Sequence, residues 1–372
     1  MKYYLIAGEA SGDLHASNLM KGLVAEDPAA EFRFVGGDLM KAVGGELVRH
    51  YKDGAAMGVT DVARKAGKIL GALRLTKKDI LDWKPDVVIL VDYPGFNMRI
   101  AKFAHSKGIK VFYYIAPKTW ASRESRNRKL KKYVDKLFIV FPFEIPYFEA
   151  KGVPFVYKGN PLVDAVDQAQ YVDVCDQPYI ALLAGSRKGE ISRMMPVCME
   201  VADRLHALPE YKDWKIVLAG APARSTEDYS AWLEGREYVD LVFGQTYSVL
   251  HGARAAIINS GTASLEAALI GTPQVVCWST SRLTAFLARR VFRVMDHIKF
   301  ISLGNLIMDR LVFRELVQEA FTADEVLAEV RRLIEDEEYR GKMLSGYSEI
   351  KEALGGEGAS RAVAREMISL LI

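Results

Sequence analysis

The sequence predicts an α/β protein made of two doubly wound, Rossmann-like domains with parallel sheets. Short apolar runs of strand length alternate with segments of helical periodicity, as in consecutive βαβ units. This alternation stops after Gly159-Asn160-Pro161 and starts again at Tyr179. With 372 residues, 50% of them hydrophobic and 26% charged, the chain is long enough for two globular cores. Because open parallel sheets bind ligands beyond the carboxyl ends of their strands, we expect an interdomain cleft there.

Five apolar runs are predicted as strands in each domain. In the first domain they cover residues 3–7, 32–35, 87–91, 111–115 and 137–141, and in the second 179–183, 216–219, 241–243, 255–258 and 275–278. Helical segments at 323–335 and 358–371 follow, and we expect the last to pack back on the first domain. The predicted boundaries are 1–165 for the first domain, 166–345 for the second and 346–372 for the returning helix.

The most informative motif joins the predicted strand 255–258 to a helix through Ser260, Gly261, Thr262 and Ala263. Such a turn directs backbone N–H groups and the positive end of a helix dipole at one point, where phosphate binds. Glu266, about one turn into the helix, is placed to accept hydrogen bonds from the hydroxyls of a ribose. The alternative is an ordinary helix cap with Glu266 on the surface.

A second glycine turn follows the predicted strand 179–183 and carries Gly185, Ser186 and Arg187. The Arg187 guanidinium is always charged and binds phosphate oxygens in a bidentate way. Together with the Ser260 turn it would bracket a diphosphate. Backbone dipoles and arginine then stabilise the charge that grows on a departing nucleoside diphosphate, which is what a metal-free nucleotide-sugar transferase needs.

Two turns of the first domain carry acids at predicted strand ends, GEASGD at 8–13 and DYPGFN at 92–97. The first is neither a P-loop nor a GxGxxG motif, so ATPase and dehydrogenase chemistry are not indicated. Asp92 ends a central strand, where a general base would face the cleft. It is an equally good helix N-cap.

Neither a metal nor another cofactor is indicated by the sequence. Cys175, Cys198 and Cys277 form no CxxC pair, and the six histidines are scattered. The apolar runs are too short to span a membrane, and Met1 and Lys2 lead directly into a strand without a secretory signal. We therefore expect a cytoplasmic enzyme without cofactors.

Seven motifs, in order along the chain, resemble those of the lipid-A-disaccharide synthase family. They are the turns 8–13 and 92–97, Trp120 in APKTW, the FPFE at 141–144, Gly185-Ser186-Arg187, the segment 260–266 and the SLGNL at 302–306. The resemblance implies a GT-B glycosyltransferase of lipid A biosynthesis. Such an enzyme joins UDP-2,3-diacylglucosamine to 2,3-diacylglucosamine 1-phosphate through a β-1,6 linkage and releases UDP.

Carried over by position, the resemblance assigns three groups of site residues. Asp92 and Glu9 are the catalytic candidates. The UDP and diphosphate group is Gly185, Ser186, Arg187, Ser260, Gly261, Thr262, Ala263, Glu266 and Asn305, and the acceptor group is Gly8, Ser11, Gly12 and Asn97. The chain departs from the family at Gly95, where a second Asp is common and has been favoured as the base, and at Asn160, where His is common.

Acylated substrates imply an enzyme that contacts the membrane peripherally, on the inner face of the inner membrane. Residues 282–293 have the pattern of a basic amphipathic helix. Such a helix either rests in the headgroup layer of a membrane or packs its apolar face on the protein core. The basic run 118–136 favours anionic lipid or sugar phosphate over nucleic acid, because few aromatic residues interrupt it. A homodimer is left open. The alternatives are another UDP-sugar enzyme, with a soluble acceptor or an epimerase outcome, and a non-catalytic membrane-surface protein.

Overall fold

The computed structural model describes residues 1–55, 62–120, 124–280 and 299–372, and these form two compact units. The first unit contains Met1–Ala165 and Gly355–Ile372, and the second contains Val166–Leu354. The expected boundary at residue 346 falls inside a continuous helix, Glu337–Leu354, and the chain returns to the first unit at Gly355.

The first unit is built on a seven-stranded parallel sheet with the order β3-β2-β1-β4-β5-β6-β7. Its strands are β1 Lys2–Ala7, β2 Glu31–Gly36, β3 Glu46–His50, β4 Val87–Val91, β5 Lys110–Tyr114, β6 Lys136–Ile139 and β7 Phe155–Tyr157. Its helices are α1 Ala10–Glu26, α2 Asp38–Val43, α3 Lys52–Ala55, α4 Val62–Trp83, α5 Pro94–Ser106, α6 Arg126–Tyr133, α7 Glu144–Ala150, α8 Pro161–Asp167 and, from the chain's end, α16 Ala359–Ser369.

The second unit is built on a six-stranded parallel sheet with the order β10-β9-β8-β11-β12-β13. Its strands are β8 Tyr179–Leu183, β9 Lys215–Gly220, β10 Val239–Phe243, β11 Ala255–Asn259, β12 Gln274–Trp278 and β13 Glu315–Val317. Its helices are α9 Lys188–His206, α10 Ser230–Leu233, α11 Thr246–Gly252, α12 Thr262–Ile270, α13 Leu303–Met308, α14 Ala323–Glu335 and α15 Glu337–Leu354.

The central strands of both sheets are buried along their whole length. Every residue of β4 and of β11 is buried, as expected for parallel strands covered by helices on both faces. All ten predicted strands are present. The sequence missed the edge strands β3, β7 and β13, whose residues are mostly half-buried, because an edge strand needs no continuous apolar run.

The last helix, α16, packs against α1 within the first unit. The Asp164 carboxylate accepts hydrogen bonds from the N–H groups of Gly358 and Ser360 at 2.6 and 2.8 Å, which caps the start of α16. In the first two turns of α16, Arg361 and Arg365 both bind Glu26, the last residue of α1. These contacts fix the returning helix on the first unit.

A search of the described residues for a membrane-spanning segment finds no helix with the length and apolar character to cross a bilayer.

Candidate nucleotide and acceptor sites

The turn from β11 into α12 has the open backbone that the phosphate-binding prediction requires. Gly261 precedes the first residue of α12, Thr262, and has no side chain to cap the helix. A Cβ built on Gly261 would meet only the Asn259 carbonyl oxygen, at 4.0 Å. Residues 260–263 are half-buried, so a ligand can reach the N–H groups of the first helical turn, which have no partner within a helix. An anion therefore has a direct approach to this helix end.

The Ser260 side chain shapes this turn from within the protein. Its Oγ donates a hydrogen bond to the Ile301 carbonyl at 3.0 Å, and Ser264 Oγ donates one to the Gly261 carbonyl at 2.9 Å. The Ser260 hydroxyl thus ties the turn to the loop before α13, and the backbone of the turn faces outward.

Glu266 lies one turn into α12, and its carboxylate is held by a tyrosine. The Tyr247 hydroxyl, from α11, donates a hydrogen bond to Glu266 Oε1 at 3.2 Å. Burial raises the pKa of Glu266 to about 7, while this hydrogen bond acts in the opposite direction. Near neutral pH the carboxyl therefore titrates, and Oε2 is left to accept from another donor.

The Gly185 turn after β8 is organised by Glu190, which sequence reasoning did not single out. Glu190 Oε2 accepts the N–H groups of Ser186 and Arg187 at 3.0 and 3.2 Å, and Oε1 accepts Arg187 Nη1 at 3.0 Å. Gly185 has φ 104°, and a Cβ there would lie 2.7 Å from Asn259 Nδ2. Only glycine fits this position. The exposed guanidinium of Arg187, rather than the backbone of its turn, is thus what this strand end offers to an anion.

Asn305, predicted as a residue of the nucleotide site, is buried, and its side chain forms hydrogen bonds within the protein; its place in that site stays a prediction. Its Nδ2 donates to the Phe313 carbonyl and to Glu315 Oε1, and its Oδ1 accepts the N–H groups of Val312 and Phe313. The amide has no further hydrogen-bonding capacity.

Asn305 supports the loop that holds the phosphate turn. Glu315, its partner, accepts the N–H groups of Ile301 and Ser302 at 2.9 and 3.0 Å. The Ile301 carbonyl in turn accepts the Ser260 hydroxyl. Asn305 and Glu315 are thus connected to the phosphate turn through one peptide unit.

In the first unit, the turn after β4 has a strained backbone. Asp92 and Tyr93 have φ values of 42° and 46°, and Ile115, which directly follows the neighbouring strand β5, has φ 65°. For residues other than glycine, and above all for β-branched Ile115, this region is unfavourable and occurs most often at functional sites. The half-buried Asp92 thus lies at the most strained pair of strand ends in the described parts of the sheet.

Buried side chains stabilise the Asp92 turn through hydrogen bonds to backbone carbonyl groups. The Tyr113 hydroxyl donates to the Asp92 carbonyl at 2.6 Å. Asn97 Nδ2 lies 2.8 Å from the same carbonyl, and also 3.2 and 3.3 Å from the carbonyls of Val91 and Ile6. Since Asn97 is fully buried, it braces the strand ends, and its contact with the acceptor stays a prediction.

Three residues of the turn 8–13 have packing or capping roles. A Cβ on Gly8 would overlap the Tyr93 ring, and one on Gly12 would lie 3.3 Å from Ala7 Cβ. The buried Asp13 carboxylate accepts the N–H groups of Gly37, Leu39 and Met40 at 2.8–3.2 Å, so it caps α2 in place of the missing Gly37 side chain.

The remaining two predicted residues of this turn, Glu9 and Ser11, lie on its exposed side. Glu9 immediately precedes α1, and Ser11 is in the first turn of that helix. Glu9 stays a catalytic candidate, and Ser11 stays a candidate for contact with the acceptor.

The aromatic motifs of the first unit come together beyond β5 and β6. The Trp120 and Phe143 rings pack edge to face at 5.0 Å, and Phe141 stacks on Phe143 at 5.3 Å. The buried carboxyl of Glu144 accepts the N–H groups of Val140 and Phe141, each at 3.2 Å. Burial raises the pKa of Glu144 to about 7.

The two departures from the family pattern differ in their surroundings. Gly95 is exposed on the first turn of α5, and a Cβ there would have nothing within 4 Å. Asn160 is buried, donates to the Val140 carbonyl at 2.9 Å and accepts the Leu162 N–H at 2.9 Å. Asn160 therefore joins the end of β6 to α8, which gives it a structural role.

The predicted amphipathic helix 282–293 lies outside the described residues, as does 121–123 of the basic run 118–136. In the described part of that run, helix α6 exposes Arg128, Lys129, Lys131 and Lys132. No group of three or more His, Cys, Asp or Glu side chains with the geometry to hold a metal ion occurs in residues 1–55, 62–120, 124–280 and 299–372.

Sequence reasoning missed the side chains that position the predicted ones. Glu190 could have been found from the sequence, because an acidic residue at the third position of a helix is part of the capping-box pattern. Tyr247 and Tyr113 carried no local signal, since each acts on a residue 19 or 21 positions away.

Comparison with known proteins places the chain in one family along almost its whole length. The family model described as lipid-A-disaccharide synthetase matches residues 3–368. The lipid-A-disaccharide synthase of Trichlorobacter lovleyi is 36% identical over 377 residues, covering 99% of this chain and 97% of the relative. That of Myxococcus xanthus is 36% identical over 376 residues, with the same two coverages.

Solved structures share the fold at low sequence identity. The UDP-GlcNAc 2-epimerase of Neisseria meningitidis, bound to UDP-GlcNAc, has a TM-score of 0.68 at 14% identity, covering 99% of this chain and all of that one. A calicheamicin glycosyltransferase has a TM-score of 0.59 at 16% identity, covering 99% of this chain and 98% of that one. These similarities and the two parallel sheets confirm the predicted GT-B fold. By sequence along nearly its full length, this chain belongs to the lipid-A-disaccharide synthase family of glycosyltransferases.

Proposed function

We propose that this protein transfers a 2,3-diacylglucosamine unit from UDP to 2,3-diacylglucosamine 1-phosphate, forms a β-1,6 linkage with inversion and releases UDP. Family membership supports the reaction. The observation that carries the proposal is the phosphate turn of the second unit, where an open Gly261 backbone at the start of α12 stands one turn from the Glu266 carboxylate. A diphosphate and a ribose are spaced to use both.

In this proposal the second unit binds UDP through three groups. The N–H groups at the start of α12, from Gly261, Thr262 and Ala263, donate hydrogen bonds to the oxygens of the diphosphate. Arg187 supplies a positive charge that stabilises the negative charge developing on the diphosphate as the sugar leaves. Glu266, with Oε1 held by Tyr247, accepts ribose hydroxyls at Oε2.

The first unit supplies the base, for which Asp92 is our candidate. The acceptor hydroxyl oxygen attacks the anomeric carbon of the donor, the bond from that carbon to the diphosphate breaks, and the hydroxyl proton passes to the Asp92 carboxylate. UDP departs with the bonding electron pair. The strained turn and the Tyr113 hydrogen bond hold the Asp92 backbone in a single conformation. Glu9 is the second candidate, on the end of the neighbouring strand β1.

We also propose that the enzyme works at the inner face of the inner membrane as a peripheral protein. Both proposed substrates carry acyl chains. The exposed cations of α6 provide a surface that anionic headgroups attract. Nucleic acid is not among the proposed partners.

The direct test is turnover of the two diacylated substrates, followed as UDP release and as disaccharide formation. We expect stoichiometric UDP and disaccharide, and retention of activity in EDTA because Arg187 and the α12 dipole carry the charge of the leaving group. UDP release that does not need the acceptor, or no turnover by folded protein, would refute the proposal. Loss of activity in EDTA that Mg²⁺ restores would refute the assigned role of Arg187 and α12.

A further inference from the structure

Arg49 has a position that neither the motifs nor the proposed mechanism explains. It lies near the end of the edge strand β3 and is half-buried. Its guanidinium carbon is 5.2 Å from the centroid of the Phe96 ring, and Phe96 stacks on Tyr93 with ring centroids 5.6 Å apart. The guanidinium thus contacts an aromatic pair whose other member, Tyr93, directly follows Asp92.

Within the described residues, no hydrogen bond or ion pair involves the Arg49 guanidinium. Arg33, on the neighbouring strand β2, is the opposite case, because it binds both Asp79 and Glu46. Burial lowers the pKa of Arg49, and the acidic groups that act against this, Tyr93, Tyr4 and Asp53, do so only through space. Arginine still stays protonated, so Arg49 is a partly desolvated cation without a bound counter-charge among the residues that the structure describes.

The stack determines which atoms of Arg49 are offered to a ligand. The Arg49 guanidinium lies over the Phe96 ring in a cation–π contact, and its N–H groups project within its own plane. Two of these in-plane N–H groups match two oxygens of a phosphate in a bidentate hydrogen bond. Phe96 thus orients the cation before any ligand arrives.

We propose that Arg49 binds the anomeric phosphate of the acceptor, a phosphate monoester on C1 of the sugar; this inference rests on the proposed function. A phosphate monoester carries a charge between −1 and −2 near neutral pH, and the acids Asp92 and Glu9 in the same unit would repel it. Arg49 supplies the compensating charge beside the turn that carries the base. The acceptor is then held by its C1 phosphate while its C6 hydroxyl, across the ring, reaches Asp92.

The test compares two acceptors, 2,3-diacylglucosamine 1-phosphate and the same sugar with a free 1-hydroxyl group. The wild type should prefer the phosphorylated acceptor. Arg49→Gln should lower kcat/KM for that acceptor about 10- to 100-fold, the usual loss for a hydrogen-bonded charge, and leave the hydroxyl acceptor unaffected. Arg49→Lys should recover part of the loss, since it keeps the charge without the planar fork. Lys102→Ala, an exposed cation on α5, is the matched control and should change neither value.

Each outcome bears on the proposal separately from the reaction itself. An equal loss with both acceptors, or no loss with either, overturns the role of Arg49, whereas no turnover by the wild type refutes the proposed function instead. If Arg49→Gln also loses binding to phosphatidylglycerol vesicles while both acceptors fall together, the phosphate belongs to a membrane lipid and the proposal is wrong. If neither Arg49 variant folds, the wild type decides, since equal kcat/KM for the two acceptors refutes a phosphate site.

Discussion

The Tyr247 hydroxyl donates a hydrogen bond to Glu266 Oε1 and so connects α11 to α12. The bond stabilises the ionised form of a carboxyl whose pKa burial has raised to about 7. Through this hydrogen bond, the charge of the Glu266 carboxylate, which we propose binds the ribose, depends on Tyr247, a residue that does not itself contact UDP.

UDP binding should therefore depend on pH near neutrality. Protonation of Glu266 removes an acceptor, so affinity should fall as the pH drops through about 7. Tyr247→Phe removes the hydrogen bond that favours the charged form, which should raise the pKa of Glu266 and move this fall to higher pH. Glu266→Gln should bind UDP weakly and without this dependence. Calorimetric titration between pH 6 and 8.5 measures the effect, with 2′,3′-dideoxy-UDP as the control that should not show it.

Arg187→Ala should reduce kcat much more than it weakens UDP binding. A preorganised donor to developing charge is usually worth a factor of about 10² to 10³ in kcat. Lys188→Ala is a matched control, because Lys188 is the next residue, is exposed and pairs with Asp228 at 2.9 Å. Equal small losses in both variants would mean that Arg187 acts only as a surface charge.

Asp92→Asn should slow the chemical step while UDP affinity stays at the wild-type value. Loss of a general base typically costs about 10² to 10⁴ in rate. Single-turnover kinetics beside UDP titration separate the two effects. Glu9→Gln, measured in parallel, should keep most of the rate. The reverse pattern would assign the base to Glu9, and a near-normal rate in both variants would exclude the two carboxylates.

Gly8→Ala should reduce activity by displacing the strained turn. The added methyl group would overlap the Tyr93 ring, whose backbone continues from Asp92. We expect a kcat loss of at least about tenfold, because small misplacements of a reacting group are costly. Gly95→Ala, three residues after Asp92, has open space around its Cβ and should retain both activity and melting temperature.

The buried carboxyl of Glu144 should make the folded state less stable as the pH rises. Its folded pKa is about 7, above the ordinary value of 4.5, so between these pH values the folded state holds a proton that the unfolded state has lost. Stability contributed by this group is present below pH 4.5 and is lost as the pH passes 7.

Glu144→Gln should reduce the difference in unfolding free energy between pH 5 and pH 8. The reduction should be roughly 3 kcal/mol, since each pKa unit corresponds to about 1.4 kcal/mol. Urea denaturation at the two pH values measures it. Burial lowers the pKa of His15 to about 4, so His15 makes the folded state more stable as the pH rises. This contribution is the same in the wild type and in Glu144→Gln, and it cancels in the comparison. An unaltered difference would show that Glu144 is ionised at pH 5.

The sequence predicted ten strands, the nine inner ones and the edge strand β10, because buried parallel strands are continuously apolar, as in β4. It also predicted the turns at their carboxyl ends, because glycine and small residues are required there. It could not distinguish side chains that face a ligand from those that face the protein. Asn97 and Asn305 have ordinary polar signals, yet both are buried and bind backbone carbonyls.

The missing information is long-range in every such case. Whether the Asn305 amide is free depends on Glu315 and Phe313, which a different element brings to it. Arg49 is distinguished from Arg33 only by the absence of a partner among the described residues, a property of the packed chain that no local pattern encodes.

The placement of α16 on α1 has a consequence for the order in which the protein forms during synthesis. The first unit needs residues from both ends of the chain, whereas the second is a continuous segment, Val166–Leu354. On the ribosome, α1 is synthesised early, but its surface at Gly22 stays uncovered until α16 is made. A Cβ on Gly22 would lie 3.0 Å from the Ser360 carbonyl oxygen. The second unit is therefore synthesised in full before α16, and the first unit closes only once α16 has emerged from the ribosome.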